Sequence, residues 1–221
     1  MKKLFVLAEG QTKETFVREV LAPHLYDFGV APVPVLLTTK RTKTGLTFKG
    51  GVTKYSRARD DILRLLRDSS AVAVTTMVDY YGLPTDFPGH DTCPAGTPYA
   101  RVTYMQKLWA ADIDNPRFLP FLTLHEFEAL LFVNVAAIAA ALPDYPVTKA
   151  LTQIRKQVTS PEEIDDGPMT HPSAHILRYA PAYQKLVDGP LITRTIGLAG
   201  IRAECPHFDA WIVSLEQLSM S

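Results

Sequence analysis

The stretch LFVLAEGQTKETF, Leu4 to Phe16, joins an apolar run to a helical pattern through a glutamate and a glycine. The run Leu4 to Ala8 is short and apolar and stops at Glu9-Gly10, which is typical of a buried strand. Thr12 precedes apolar residues at helical spacing and is predicted to cap a helix. A carboxylate at the tip of a buried strand costs free energy unless something binds it. Glu9 therefore belongs either to a functional site or to a helix cap.

The alternation of strand and helix continues to about residue 132. The segments APVPVLLTTK, AVAVTTMVDYYGLP and FLPFLTLHEFEALLF are predicted to be further strands, the last of them turning helical near Glu126. The helical segments RARDDILRLLRDSS and YARVTYMQKLWAADI lie between them. This alternation predicts an α/β fold with a mainly parallel sheet of about four strands flanked by crossover helices. We expect this domain to cover residues 1–132, with a helical C-terminal extension over residues 133–221 packed on it.

The overall composition limits the class of protein. With 47% hydrophobic residues in 221, the chain can bury one substantial core. Basic and acidic residues number 23 each, so a wholesale polycationic nucleic-acid binder is not expected. The two cysteines, Cys93 and Cys205, lie far apart and are expected to be reduced thiols. The apolar runs are too short for a signal peptide or for the roughly 20 residues of a membrane span, which predicts a cytoplasmic protein without membrane contact.

Acidic residues follow three of the four predicted strands: Glu9, Asp79, and Glu126 with Glu128. In parallel α/β folds, ligands bind beyond the carboxyl ends of the strands. Carboxylates gathered there repel one another, so they ionise together only around a cation. Oxygen ligands favour Mg²⁺ or Mn²⁺, and such ions can activate water for phosphodiester cleavage. The pattern predicts a metal site; the alternative is that Glu9 and Asp79 cap helices or pair with arginines.

Histidines offer a competing metal site. His171 and His175 lie one helical turn apart, and Cys205 and His207 occur in CPH, so a zinc site is conceivable. A proline follows His171 directly and no H-E-x-x-H pattern occurs, which favours surface or capping roles. His125 adjoins the acids in HEFE and could polarise a phosphate or donate a proton, with a plain structural role as the alternative.

A basic segment follows the second predicted strand. Its basic residues are Lys40, Arg41, Lys43, Lys49 and Lys54, with no acid among them. Together with its glycines, this composition would let the segment approach a phosphate backbone closely, which predicts nucleic-acid binding. A solvated loop without a ligand is the alternative. The phosphate-binding motifs G-x-x-x-x-G-K and G-x-G-x-x-G do not occur, so the sequence gives no support for P-loop or Rossmann chemistry.

Several motifs together carry a family resemblance. They are EGQTKETF, GGVTKYSRARDDI, DYYGLP, LHEFEALLF, DGPMTHPSAHIL and IRAECPHFDAW, and they span nearly the whole chain. With them the chain resembles the TOPRIM-like proteins collected as domain of unknown function 4276. The resemblance implies a TOPRIM-like fold, as in topoisomerases, primases and nucleases of the overcoming-lysogenization-defect type.

The resemblance also implies roles for particular residues. TOPRIM domains carry a Glu-Gly after the first strand, where Glu acts as general acid/base or metal ligand, and an Asp-x-Asp after the third, which holds Mg²⁺. Glu9 matches the first motif and Asp79 matches its first aspartate. The chain departs from the pattern twice: Tyr81 stands at the second aspartate, and Lys13 stands where relatives with an E-G-x-T-E motif have an acid. Relatives look similar to proteins encoded beside ATPases in anti-phage and plasmid-defence loci, which implies an ATPase partner.

Two hypotheses follow for the function. The first is a Mg²⁺- or Mn²⁺-dependent phosphodiesterase, a nuclease acting on DNA or RNA. Glu9 would position or deprotonate the attacking group, and Asp79 would bind metal with Glu128 or Glu126. His125 and a base such as Lys54 or Arg57 would steady the scissile phosphate. The second is a regulatory or binding subunit with a degenerate site, favoured by Tyr81 and Lys13; a homodimer is compatible with both.

Overall fold

A parallel sheet forms the centre of the fold in the computed structural model, which describes residues 1–37, 52, 54–164, 167 and 169–220. Its strands are β1 (Lys2–Ala8), β2 (Val30–Leu36), β3 (Ala71–Asp79), β4 (Phe118–Leu119) and β5 (Leu122–Thr123). The strand order is β2-β1-β3-β4, and β5 also pairs with β3. Each of these pairings is parallel. The predicted α/β fold with a mainly parallel sheet is therefore confirmed.

Helices connect the strands and cover both faces of the sheet. Between β1 and β2 lie α1 (Gln11–Phe16), a π-helical turn (Val17–Leu21) and α2 (Ala22–Asp27). α3 (Tyr55–Leu66) precedes β3, and α4 (Pro98–Ile113) precedes β4. After β5 the chain forms the 3₁₀-helix Phe127–Asn134, α5 (Val135–Ala141), α6 (Thr148–Arg155), the 3₁₀-helix Pro161–Glu163, α7 (Pro172–Tyr179), α8 (Lys185–Glu204), α9 (Pro206–Glu216) and the 3₁₀-helix Gln217–Ser219.

Side chains on the two faces of the sheet enter two different cores. Leu4 and Val6 of β1 pack with α1 and with the C-terminal helices. Leu7 of β1 and Val74 of β3 pack instead with α3 and α4. This alternation follows from the period of two along a strand, and it buries both faces, as expected for a parallel sheet.

The C-terminal helices share a core with the sheet. The ring of Trp211 in α9 stacks on Phe121, with centroids 4.3 Å apart and planes at 8°. Its Nε1 donates a hydrogen bond of 2.9 Å to Thr75 Oγ1 in β3. Both Trp211 and Phe208 are buried in the same core as Leu4 of β1. The expected packing of helices onto the α/β core is thus observed, while the boundary at residues 132 and 133 stays a prediction.

Strand β2 forms one edge of the sheet and carries two prolines, Pro32 and Pro34. Leu37 directs its N–H towards β1 and donates a 2.9 Å hydrogen bond to the carbonyl of Ala8. Because successive residues of a strand direct their N–H groups to opposite sides, both prolines occupy positions that face away from β1. Proline has no N–H, so β2 accepts these prolines without losing a hydrogen bond to β1.

The predicted cap by Thr12 is wrong. Helix α1 begins at Gln11, one residue earlier, and its preceding residue Gly10 makes no side-chain cap. Thr12 lies inside the first turn, where its Oγ1 donates a 3.2 Å hydrogen bond to the carbonyl of Lys185. This hydroxyl therefore links α1 to the start of α8 and does not cap its own helix.

The fourth predicted strand is split into β4 and β5 at Pro120 and Phe121. Proline cannot donate to a strand ladder, so pairing with β3 stops there. Two threonines of β3 replace the missing ladder with side-chain bonds. Thr75 Oγ1 donates to the carbonyl of Leu119 at 2.6 Å. Thr76 Oγ1 donates to the Phe121 carbonyl at 2.9 Å and accepts from the Phe121 N–H at 2.8 Å.

Replacing Thr76 by Val should destabilise the fold although the two side chains have nearly the same volume. The change leaves the buried N–H and C=O groups of Phe121 without their partner, which is expected to cost about 2 to 4 kcal/mol of unfolding free energy. Urea denaturation followed by circular dichroism measures the loss. Thr195→Val serves as the control, because Thr195 is exposed and its hydroxyl donates to the Leu191 carbonyl of its own helix. Equal stability of the two variants would contradict a structural role for the Thr76 hydroxyl.

Among the described residues, no helix is both long enough and apolar enough to cross a membrane.

Candidate active site

Glu9 and Asp79 lie side by side where β1 and β3 end. The parallel register pairs Ala8 with Met77, which brings the two strand ends to the same edge of the sheet. The N–H of Asp79 donates a 2.7 Å hydrogen bond to Glu9 Oε2. The carboxylate of Glu9 therefore caps no helix but bonds to the end of the neighbouring strand.

Lys13 lies between these two carboxylates. It follows Glu9 by one helical turn, and its Nζ is 2.9 Å from Glu9 Oε2 and 2.6 Å from Asp79 Oδ2. Its side chain is only 6% exposed. Burial lowers the pKa of Lys13, but the negative charges of Asp79 and Glu9 outweigh burial and hold that pKa above its usual value. Lys13 is thus a buried ammonium group shared by two acids.

The second oxygen of Asp79 is bound by the segment that follows the sheet. Thr123 Oγ1 donates to Asp79 Oδ1 at 2.7 Å, and the N–H of Phe127 donates to the same oxygen at 3.0 Å. Phe127 stands between Glu126 and Glu128 in the sequence. These two bonds orient the Asp79 carboxylate and bring the HEFE acids next to it.

Glu126 and Glu128 share a second lysine, at the start of α8. Lys185 Nζ is 3.5 Å from Glu126 Oε1 and 3.2 Å from Glu128 Oε1, and the Lys185 side chain is 44% exposed. Glu126 Oε2 also contacts His171 Nδ1 at 3.0 Å and accepts a 3.0 Å hydrogen bond from the N–H of Ser173. Burial raises the pKa of Glu126, but Lys185 and these partners outweigh it and hold that pKa below its usual value.

The pKa of Glu128 shifts in the opposite direction, because this side chain is buried with fewer partners. Burial raises the pKa of Glu128 to about 7, against the opposing charge of Lys185. The negative charges of Glu126 and Asp79 add to the rise, so Glu128 lies within electrostatic range of both pairs. Glu9, Asp79, Glu126 and Glu128 form what we call the acid cluster. Two lysines face these four carboxylates, which leaves two formal negative charges in excess.

A buried hydroxyl lies beside the acid cluster. Tyr183 is 5% exposed, and within the described residues its Oη has no hydrogen-bond partner. Burial first, and then the charge of Glu128, raise the pKa of Tyr183. A side chain at Gly189 would come within 3.4 Å of this hydroxyl, so the glycine keeps the surrounding space open. A buried polar atom without a partner usually indicates a water molecule or a ligand.

An aromatic face adjoins the cluster on another side. Tyr81 stacks on His171, with ring centroids 5.1 Å apart and planes at 25°. Tyr81 is 37% exposed. It lines a cavity of about 450 Å³ together with Tyr80, His90 and Met105. The histidine that Glu126 binds therefore supports an accessible aromatic ring.

The donor set fits a hard divalent cation by its chemistry. Four carboxylates supply oxygen ligands only, they outnumber the two lysines that contact them, and in the described part of the chain the hydroxyl of Tyr183 lacks a partner. The present contacts differ from those of a metal centre, because each carboxylate pair is bridged by a lysine. No group of three His, Cys, Asp or Glu side chains within the described ranges has the arrangement of a metal centre. Asp79 and Glu128 are the residues that would hold an ion here, with Glu9 and Glu126 beside them.

The other predicted site residues lie in several places. The side chain of His125 is buried, and its carbonyl accepts a hydrogen bond from the N–H of Tyr81, so the residue lies next to the end of β3. Lys54 precedes α3 and Arg57 lies in its first turn. Neither forms an ion pair with the acid cluster in the part of the chain that the structure describes. Their catalytic roles and that of His125 stay predictions. The predicted nucleic-acid-binding residues Lys40, Arg41, Lys43 and Lys49 lie outside the described residues.

Two of the three histidines of the alternative zinc site, His171 and His207, make separate contacts. His171 contacts Glu126, while His207 contacts the carbonyl of Leu122 through Nε2 at 2.8 Å and stacks on Phe121. Burial lowers the pKa of His207 and raises that of the Cys205 thiol. Each of the two histidines is thus engaged with a different element of the fold.

Sequence reasoning missed Lys185, Ser173 and Tyr183, and it treated Lys13 only as a departure from a motif. The spacing of Lys13, one helical turn after Glu9, was a signal that the two side chains could meet. The other three lie far along the chain in the helical part, and no local pattern connects them with the strand ends.

The chain matches one family in comparisons with known proteins. The sequence model of the family described as Domain of unknown function (DUF4276) matches residues 8–216. No curated protein and no solved structure matches the chain.

Proposed function

The chain belongs to this family of unknown function, and we propose that it is a cytoplasmic, divalent-metal-dependent phosphodiesterase acting on nucleic acid. The observation that carries the proposal is the convergence of four carboxylates and two lysines at the carboxyl ends of β1 and β3. Ligand sites of parallel α/β folds lie at this edge. The likeness to TOPRIM domains, the defence role and the ATPase partner that the resemblance implies are parts of the same proposal.

A cation at the acid cluster would supply charge stabilisation for a phosphate. Mg²⁺ and Mn²⁺ prefer oxygen ligands and bridge carboxylates to phosphate oxygens. Asp79 and Glu128 would hold such an ion, and it would polarise the phosphate and lower the pKa of a bound water molecule. Lys185 lies at the exposed side of the cluster, where its ammonium group can bind a phosphate oxygen.

Glu9 suits the role of proton acceptor. Its Oε2 is occupied by Lys13 and by the N–H of Asp79. Within the described residues, its Oε1 makes no hydrogen bond and is free to accept a proton. Burial raises the pKa of Glu9 above its usual value, with a further contribution from the charge of Asp79, against the opposing charge of Lys13. A raised pKa brings a carboxylate closer to neutral pH, where proton transfer is most effective.

The aromatic face supports nucleic acid as the substrate class. Every nucleobase can stack on an exposed aromatic ring, and one such contact contributes about 1 to 3 kcal/mol to binding. Tyr81 offers such a ring two residues after Asp79, and this ring stacks on His171. The open cavity of about 450 Å³ beside Tyr81 gives a base room to approach this ring. A phosphate at the acid cluster and a base against Tyr81 would belong to the same bound nucleotide chain.

The proposed function is tested with the purified wild-type chain, plasmid DNA and a structured RNA. We expect cleavage of at least one substrate with Mn²⁺ or Mg²⁺, and loss of cleavage when a chelator removes the ion. Gel electrophoresis over time measures both. A parallel incubation with Ca²⁺ separates metal-dependent chemistry from binding alone. Absence of cleavage with either ion, under conditions where calorimetry shows the ion bound, would rule out the phosphodiesterase.

A second candidate is supported by the two lysines. Both carboxylate pairs already have an ammonium group as counter-ion, which is the arrangement expected of a site that has lost its metal. Such a chain would act as a binding or regulatory subunit, for example of an ATPase. Purified chain that neither binds Mn²⁺ nor cleaves nucleic acid, while an ATPase is retained in pull-down experiments, would support this function.

A further inference from the structure

We propose that the ammonium group of Lys13 occupies a cation position of the acid cluster and competes with the divalent ion. Replacing Lys13 should therefore create a tighter metal site. The proposal deepens the proposed function, since it rests on the same metal site, but its readout is ion binding and stability instead of cleavage.

The first observation is that Lys13 contacts the oxygen of Asp79 that a metal ion would bind. Its Nζ lies 2.9 Å from Glu9 Oε2 and 2.6 Å from Asp79 Oδ2. The other oxygen of Asp79 accepts hydrogen bonds from Thr123 and Phe127. Both oxygens of Asp79 are thus engaged, and a metal ion bound at Oδ2 would lie next to the Lys13 ammonium group, whose positive charge repels it.

The second observation is that Lys13 is held in this position. The residue lies in the first turn of α1, directly after the end of β1, so the backbone directs its side chain to Glu9. Its side chain is 6% exposed. Moving Lys13 away without a replacement cation would leave two buried carboxylates next to each other, which is strongly unfavourable. The ammonium group leaves only when another cation enters.

Lys185 provides the internal comparison. It also neutralises two carboxylates of the acid cluster, but its side chain is 44% exposed and its contacts, at 3.2 and 3.5 Å, are longer. An exposed ammonium group can move into solvent at little cost, and solvent screens its charge. Lys13→Met and Lys185→Met make the same change in net charge. A difference in Mn²⁺ affinity between the two variants therefore depends on where the removed charge lies.

The decisive experiment measures Mn²⁺ binding to the wild-type chain and to both variants by isothermal titration calorimetry. Methionine keeps most of the length of the lysine side chain and removes its charge. We expect Lys13→Met to bind Mn²⁺ at least about tenfold more tightly than the wild type, because a positive charge beside the ion is removed. We expect a clearly smaller increase for Lys185→Met.

Thermal unfolding gives a second readout. Without metal, Lys13→Met should unfold at a lower temperature than the wild type, since the Glu9 and Asp79 carboxylates have lost their shared counter-ion. Mn²⁺ should restore its stability and change that of the wild type much less. If the variant fails to fold without metal, it is refolded with Mn²⁺ present. The double variant Glu9→Gln/Lys13→Met removes one charge of each sign. It should fold without the ion, because Asp79 no longer lies beside a second carboxylate.

Two results would overturn the proposal: equal Mn²⁺ affinity in Lys13→Met and the wild type, or an equal increase in Lys185→Met. A Lys13→Met chain that stays unfolded with Mn²⁺ also counts against it. Failure of the proposed function is a separate outcome. A wild-type chain that cleaves no nucleic acid, together with a tighter Mn²⁺ site in Lys13→Met, refutes the phosphodiesterase and leaves the competing role of Lys13 intact.

Discussion

An Asp79→Asn chain is expected to lose metal-dependent cleavage while staying folded. Asparagine keeps the size of the side chain, and its amide oxygen can still accept from Thr123 and Phe127 as Oδ1 does now. It loses the negative charge that would bind the ion. We expect the rate to fall roughly a thousandfold, or about 4 kcal/mol of transition-state stabilisation. Single-turnover assays with plasmid and RNA substrates measure the fall.

Glu9→Gln should lose activity by a similar factor for a different reason. Since Glu9 is proposed to accept a proton, its variant should keep more of the Mn²⁺ affinity than Asp79→Asn does. Calorimetry on both variants separates the proton acceptor from the metal ligand. Glu14→Gln is a suitable control, because Glu14 lies nearby in α1 and pairs with Arg18 outside the acid cluster. Full activity in either Asp79→Asn or Glu9→Gln would refute the assignment of the site.

Trp211→Ala is expected to give the largest loss of stability. The indole stacks on Phe121, packs edge-on against Phe208 and donates to Thr75 Oγ1. Removing a fully packed aromatic side chain from a core costs about 3 to 5 kcal/mol of unfolding free energy. Urea denaturation at neutral pH measures the loss.

Trp211→Phe isolates the hydrogen bond from the packing. It keeps a ring against Phe121 but removes the N–H group, so the loss should be about 1 to 2 kcal/mol. Equal losses for Trp211→Ala and Trp211→Phe would mean that the bond to Thr75, and not the stacking, attaches α9 to the sheet.

The strand ends could be predicted because the signal is local. Each of β1 and β3 is an apolar run that stops at an acid, and parallel pairing then brings Glu9 and Asp79 to one edge. The same rule places Glu126 and Glu128 of HEFE at this edge, because they follow the last predicted strand. The split of the fourth strand could also have been read from Pro120, whose missing N–H interrupts the ladder.

The lysines of the site could not be assigned in the same way. A lysine one turn after a glutamate is a common surface pair, and only the tertiary structure shows that Lys13 reaches Asp79 as well. Lys185 reaches the cluster because α8 packs against α1 and the 3₁₀-helix Phe127–Asn134, which is a long-range contact. Thr12 resembles a helix cap in sequence, yet its hydroxyl bonds to the same distant segment. Contacts between elements far apart in the chain leave no periodic signal.

The two prolines of β2 have a consequence for the behaviour of the protein at high concentration. A sheet edge with free N–H groups can recruit a strand from another molecule and start aggregation. Pro32 and Pro34 remove the donors at two consecutive outward-facing positions of β2, so an added strand would lack half of its hydrogen bonds there. At the other side of β3, Pro120 limits β4 and β5 to two residues each. Within the described residues, both edges of the sheet thus carry features that disfavour edge-to-edge growth.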